Sequence, residues 1–306
     1  MDFGKVEIIM DLDFDEYLKL PRMSSSALKS FIESPAFYQF RKTSPFKSTP
    51  AMELGTMVHE WILENTTFAK RYYSMPEIVK PDIIKPIKPK ILKPKKPLKK
   101  DEEWVHAKYL VDLGEYEEIM SEHKGKVEKY EKIMTDHKNL IESYHVAANG
   151  RIIMPEEVVN KYTTLKPRFD TVNEVTVLFD MCGVPCKARF DMLHRNPELP
   201  MGVEDLKTIR DITKIDRDFA NLKYYIQAGF YTMAYKAAYG EWPEFFKFNF
   251  VNTGEFLQQI TCETSHDYIE YGRMIVLEQM EYFKECLEKD NWPGLTGYTI
   301  ERPNWI

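Results

Sequence analysis

Apolar and polar positions alternate along three short runs in the second half of the chain, 173–180, 186–194 and 202–207. A period of two marks half-buried strands. The residues Gly183-Val184-Pro185 between the first two runs predict a hairpin, with the third run alongside. In the second run Lys187, Arg189 and Asp191 fall on one face, and Ala188, Phe190 and Met192 on the other. In the third run Asp205 and Lys207 share a face. The period then lengthens to that of a helix over 216–239, closed by Gly240. Alternation returns over 244–253 and 256–261 as a second hairpin about Gly254, and a last helix covers 265–288.

The N-terminal part predicts a short strand at 5–10, an acidic turn at 11–16, and a helix capped by Ser24-Ser25-Ser26 that runs to 33. Pro35 interrupts it, and 36–41 makes a second piece of helix. Thr49-Pro50 is a helix start, with Thr as cap and Pro in the first turn, and the helix runs to 64. Met52, Gly55, Thr56 and His59 lie on one side of it. Gly55 is costly inside a helix, which a close approach of neighbouring backbone would explain.

Between Pro81 and Lys100 there are eight lysines, five prolines and one acid. Proline at this density forbids a helix and favours an extended polyproline-type chain. It reads as a solvated linker, or alternatively as a basic arm that attracts phosphate. Residues 101–149 are charged and helical, with apolar stripes over Trp104–Met120 and Val127–Ile141 and Gly125 separating two helices. His123, His137 and His145 are spaced by 14 and 8 residues, which matches no metal-ligand motif. The chain thus reads as one domain over 1–306, carrying a linker at 80–100 and a helical insertion at 101–150. Helices, a hairpin-rich sheet and further helices give an α/β (α+β) fold, a central mixed sheet flanked by helices.

Net charge is −6, so any contact with nucleic acid requires local concentration of positive charge. Four cysteines are too few for a disulfide scaffold, no run reaches the roughly 20 apolar residues of a membrane span, and the acidic N-terminus is no signal peptide. A cytoplasmic protein without membrane association is expected.

Three strand-like runs each deliver one carboxylate, Glu174, Asp191 and Asp205, and the third adds Lys207. Converging carboxylates bind a hard divalent cation such as Mg²⁺, and a lysine beside them can orient a water-derived nucleophile. Glu174, then Asp191 after Cys186-Lys187-Ala188-Arg189-Phe190, then Asp205-Leu206-Lys207-Thr208, resembles the PD-(D/E)xK nuclease core. Leu54-Gly55-Thr56-Met57-Val58-His59 is similar to the LGT-x-x-H helix of the phage-type exonuclease VIII (RecE-like) family, and Tyr225-Ile226-Gln227-Ala228-Gly229-Phe230-Tyr231 to its Y-x-x-Q-A-x-x-Y helix. The segment Asn291-Trp292-Pro293-Gly294 resembles its closing piece. The cysteine spacing does not match the iron–sulfur set of CRISPR-adaptation relatives, so no cluster is assigned.

The resemblance implies a restriction-endonuclease-like core and a Mg²⁺-dependent exodeoxyribonuclease, with Mn²⁺ substituting. Such an enzyme digests linear double-stranded DNA, 5′ to 3′, and leaves single strands for recombination. It implies a homo-oligomeric ring, a single-strand annealing protein as partner and a phage origin. Metal ligands would be Asp191, Asp205, the Leu206 carbonyl, His59 and Glu174. Lys207 would orient water, with Gln227 and Tyr231 positioning it. Lys29, Arg41, Arg189 and Thr208 are candidate DNA contacts. An endonuclease on the same core, or a catalytically idle DNA-binding module, are the alternatives.

Overall fold

The computed structural model describes residues 3–44 and 47–296. The chain divides into two compact units, one formed by residues 1–69 with 161–306, the other by 70–160.

In the first unit, β1 (Glu7–Ile9) leads to α1 (Phe14–Lys19), α2 (Ser25–Glu33), α3 (Pro35–Thr43) and α4 (Pro50–Leu63). Each of the last three starts on a hydroxyl cap: Ser24, Ser34 and Thr49 accept from the backbone N–H three residues on. The expected acidic turn at 11–16 is instead the start of α1, because the Asp13 carboxylate caps it through the N–H groups of Asp15 and Glu16. A short α5 (Asn65–Arg71) and β2 (Tyr72–Met75) follow. After α6 (Glu103–Ala148), β3 (Ile152–Pro155) and α7 (Glu156–Tyr162), the chain forms β4 (Val172–Met181), β5 (Val184–His194) and β6 (Gly202–Ile209). Then come α8 (Ile215–Asn221), α9 (Tyr224–Tyr239), β7 (Phe245–Asn252), β8 (Gln259–Glu263) and α10 (His266–Lys289).

The six-stranded sheet runs in the order β1-β4-β5-β6-β7-β8. It is antiparallel throughout except for β6 and β7, which are parallel and joined through α8 and α9. Helices α9 and α10 touch backbone to backbone. A Cβ on Gly229 would lie 2.4 Å from the Gly272 carbonyl carbon, so neither glycine has room for a side chain. Val177, Phe179, Ala188 and Phe190 of the sheet bury against Ile226, Phe230 and Met233 of α9, with Phe31 of α2 and Phe283 of α10 in the same core. Each large apolar side chain so buried contributes about 1.5–3 kcal/mol. The expected single helix over 216–239 is broken, because Lys223 adopts a left-handed backbone (φ 51°) between α8 and α9.

The second unit is a hairpin of unlike halves. Strands β2 and β3 pair in parallel. From β2 the chain runs out through residues 76–98 without helix or strand, and returns as the 46-residue α6. At 1.5 Å per residue α6 is about 69 Å long, and the extended arm at 3.1 Å per residue is about 70 Å. In α6 the half-buried positions recur every seven residues as two columns. One is aromatic or histidine, at Tyr109, Tyr116, His123, Tyr130, His137 and Tyr144. The other is largely aliphatic, at Leu113, Met120, Val127, Met134 and Ile141 and ending at buried Ala148. In the arm the half-buried residues include Ile78, Pro81, Ile83, Pro86, Pro89, Pro94 and Pro97, close to the three-residue turn of polyproline II. Both sets are half-buried, and His106 Nε2 lies 3.1 Å from the Leu98 carbonyl where the hairpin turns. The arm thus has one half-buried side and is otherwise exposed. Gly125 does not divide α6: it sits on the exposed side of a continuous 46-residue helix, where one glycine costs about 1 kcal/mol.

Candidate active site

Strands β5 and β6 pair only through Met192–His194 and Gly202–Glu204, then separate. The functional side chains gather at this fork. Asp191 bridges it, accepting the backbone N–H of Leu206 at Oδ2, 2.7 Å away. Asp205 on β6 is 1 % exposed. Its Oδ1 accepts from the Gln227 amide at 2.5 Å and its Oδ2 ion-pairs with Lys207. Glu174 on β4 has a left-handed backbone (φ 59°), a strained state for a residue with a side chain, of the kind that clusters at functional sites.

His59 comes to the fork from α4. Its Nε2 is 3.0 Å from Asp191 Oδ2 and its Nδ1 is 3.3 Å from Glu174 Oε1. The turn before it is fixed by close packing: a Cβ on Gly55 would meet Thr208 Oγ1 at 3.0 Å. The neighbour that requires this glycine is therefore a side chain of β6, where the sequence had suggested backbone.

The charges are held in balance. Burial alone would lower the pKa of His59, but the carboxylates of Asp191 and Glu174 outweigh it and raise it to about 9. Burial and the Asp191 charge push Asp205 up to about 6. Burial would lower Lys207, yet Asp205 and Asp191 raise it above the ordinary lysine value, so it is an ammonium at neutral pH. Burial would raise Asp191, but His59 holds it low. His59, Glu174 and Asp191 bring one ligand atom each within 4.8 Å of one another, a set able to hold a metal ion. Glu174 Oε1 and Asp205 Oδ2 are buried without a hydrogen bond and face only the cations His59 and Lys207, so oxygen donors remain for a divalent ion.

The remaining expected residues fall in different places. Tyr231 is buried, edge-on to Phe190, one turn along α9 from Gln227. Leu206 is buried with its amide engaged by Asp191. Lys29 is half-buried, its Nζ 5.0 Å from the centre of the Tyr224 ring, and Lys207 Nζ is 5.8 Å from the same ring. Burial and repulsion from Lys207 lower Lys29 to about 7. Thr208 packs on Gly55. Arg41 is exposed in the last turn of α3. Arg189 is not presented to solvent: it is buried, paired with Glu174 and donating to the Leu12 carbonyl at 2.6 Å. Its place is that of a clamp on Glu174.

Sequence reasoning missed the support behind this wall. Lys187 Nζ donates to the carbonyls of Tyr17, Leu18 and Leu20 at 2.7, 3.2 and 3.0 Å, pinning the end of α1 to β5. Tyr17 lies under both Lys187 and Arg189. The signal was the alternation of Lys187, Arg189 and Asp191; on that shared face Lys187 and Arg189 are covered by α1 and not by solvent.

Residues 24–299 match the family model described as a PDDEXK-like domain of unknown function (DUF3799). The chain belongs to this family. Its mixed sheet flanked by helices is the corresponding PDDEXK-like fold. A solved structure described as "Putative exonuclease" from Eubacterium rectale is similar at 16% identity, covering 92% of this chain and 88% of the other, with a TM-score of 0.49. The structure of SSO0001 is similar at 16% identity over 50% of this chain and 68% of the other, with a TM-score of 0.27. No curated protein matches the chain. Among the described residues no helix is long and apolar enough to cross a membrane.

Proposed function

We propose that this PDDEXK-like protein is a divalent-metal-dependent deoxyribonuclease of the exonuclease VIII type, digesting linear duplex DNA from the 5′ end. The observation that carries the reading is the convergence of His59, Glu174, Asp191, Asp205 and Lys207 on one fork of the sheet. The motif order from Gly55 to Tyr231 supports the exonuclease branch. His59, Glu174 and Asp191 would hold the cation, with Asp205 beside them. A bound divalent ion supplies Lewis-acid polarisation of the phosphate and a more acidic water. Lys207, an ammonium, cannot take a proton. Its role is to donate hydrogen bonds to the attacking water and to offset charge as the pentavalent phosphate forms. Gln227 holds Asp205 so that one carboxylate oxygen stays turned to Lys207.

The test is cleavage of linear and of covalently closed circular duplex with Mg²⁺ or Mn²⁺, with and without EDTA, by wild type and Asp205→Asn. Metal-dependent loss of linear DNA only, from 5′-labelled ends and absent in the variant, is the expected result. Cutting of closed circles would move the assignment to an endonuclease, and no cleavage of either would remove it.

A further inference from the structure

The extended arm of the second unit carries a charge pattern that the active site does not use. It repeats a triplet with an apolar residue first and a lysine third, as in Ile83-Ile84-Lys85, Pro86-Ile87-Lys88, Ile91-Leu92-Lys93 and Pro97-Leu98-Lys99. Three residues make one turn of polyproline II, so the triplets form three columns along the arm, with one shift of register where Pro89-Lys90 stands between Lys88 and Ile91. The first column supplies the half-buried residues, with Ile91 more open than the rest. The second is open, with Ile87 83% and Leu92 94% exposed, and is apolar except at Lys90 and Lys95. The third is lysine, and every lysine of the arm is exposed. None of the lysines from Lys80 to Lys100 makes an ion pair among the described residues.

A free lysine-rich chain would spread under its own repulsion and would lose that freedom on binding. Here the half-buried column already holds the chain straight, so little ordering cost remains when a polyanion binds. From Lys80 to Lys99 the column spans about 60 Å at 3.1 Å per residue. Duplex DNA presents one phosphate charge per about 1.7 Å of axis, so a rail of this length runs beside roughly 35 of them. We propose that the arm, braced by α6, is a rail for the phosphate backbone of duplex DNA, adding sequence-independent affinity beyond that of the active site. Choosing DNA over another polyanion rests on the nuclease reading.

The experiment compares the full chain bearing Asp205→Asn with the same chain also bearing Lys85→Ser, Lys88→Ser, Lys93→Ser and Lys96→Ser. Affinity for linear duplex is measured across a salt series without divalent metal. Each lost phosphate contact lowers the log–log salt slope by about 0.9, so loss of four lowers it by about 3.6. The Lys→Arg version of the four substitutions should keep the slope. All four lysines are exposed, so the helical circular dichroism signal should not change. An unchanged slope overturns the rail. So does binding to vesicles of about one-third anionic lipid that the four Ser substitutions abolish while DNA affinity stays the same, which would place the arm on a membrane surface. A parallel cleavage assay with Asp205 restored separates the two readings. Cleavage with an unchanged slope rejects the rail alone, and a fallen slope without cleavage rejects the nuclease reading and leaves the rail.

Discussion

Asp191 Oδ2 accepts the backbone N–H of Leu206 at 2.7 Å, joining β5 to β6 where their own pairing has ended. One carboxylate thus replaces a ladder hydrogen bond and stands in the metal-binding set. The two duties separate by substitution. Asp191→Asn keeps an acceptor for Leu206 but loses the charge that pairs with His59, so it should lose cleavage and be destabilised less than Asp191→Ala. Asp191→Ala also leaves a buried N–H unpaired, which costs about 1–3 kcal/mol. Calorimetry and cleavage on the same samples check this, and equal destabilisation by both variants would contradict it.

Arg189 was expected at the DNA and instead grips Glu174. Arg189→Met should therefore raise the metal concentration needed for half-maximal cleavage, because Glu174 loses its clamp. The salt slope of DNA binding should stay the same. A slope lowered by about 0.9 would instead mark a direct phosphate contact.

Gly55 and Thr208 form a testable pair. Gly→Ala inside a helix gains about 1 kcal/mol when space allows. Here the new Cβ would meet Thr208 Oγ1 at 3.0 Å. Gly55→Ala should stabilise the Thr208→Ala background more than the wild type. A double-mutant cycle reads the coupling directly, and purely additive effects would show that the contact does not constrain α4.

The strands of the core and the fork residues were legible because alternation and residue order are local properties. Asp205 and Lys207 share a strand face by covalent geometry alone. What escaped depended on partners distant in sequence. His123 and His137, whose spacing fits no ligand motif, are half-buried in one column of α6, and spacing alone does not tell a covered helix face from a solvated one. The break at Lys223 has no glycine or proline to announce it, and the left-handed Glu174 is equally silent, since a strained residue is held by its surroundings and not by its own preference.

Glu204 supplies a pH test away from the metal set. Arg168 donates to its Oε2 at 2.9 Å, and His194 lies 3.3 Å from Oε1. Burial would raise this carboxyl, but His194 and Arg168 outweigh it and hold the pKa below the ordinary 4.5. A depressed carboxylate pKa stabilises the fold above the unfolded-state value, and the stabilisation is lost as pH falls through the folded one. Glu204→Gln should therefore melt below wild type at pH 7, with the gap shrinking as pH falls below the ordinary carboxyl value of 4.5 and through the depressed one. A gap independent of pH from 7 to 3 would refute the charged network.

His59 decides what the acidic cluster is for. Its two ring nitrogens face Asp191 and Glu174 at 3.0 and 3.3 Å, and in the absence of metal it is protonated. It can be a ligand that exchanges its proton for a cation, or a permanent counter-charge between two carboxylates. The two roles predict opposite signs. If His59 is a ligand, His59→Ala removes a donor, so Mn²⁺ should bind more weakly and activity should fall most at low metal. Nitrogen donors favour Mn²⁺ over Mg²⁺, so the variant should also lose part of its preference for Mn²⁺. If His59 is only a counter-charge, removing it leaves two carboxylates facing each other, and Mn²⁺ should bind more tightly. Metal binding to the folded state raises its stability by RT ln(1 + [L]/Kd). The rise in melting temperature across a Mn²⁺ titration therefore reports affinity without relying on turnover. We expect the titration midpoint of His59→Ala to move to higher Mn²⁺. A shift to lower Mn²⁺ would take His59 out of the ligand set and leave Asp191 and Glu174 to hold the ion with Asp205.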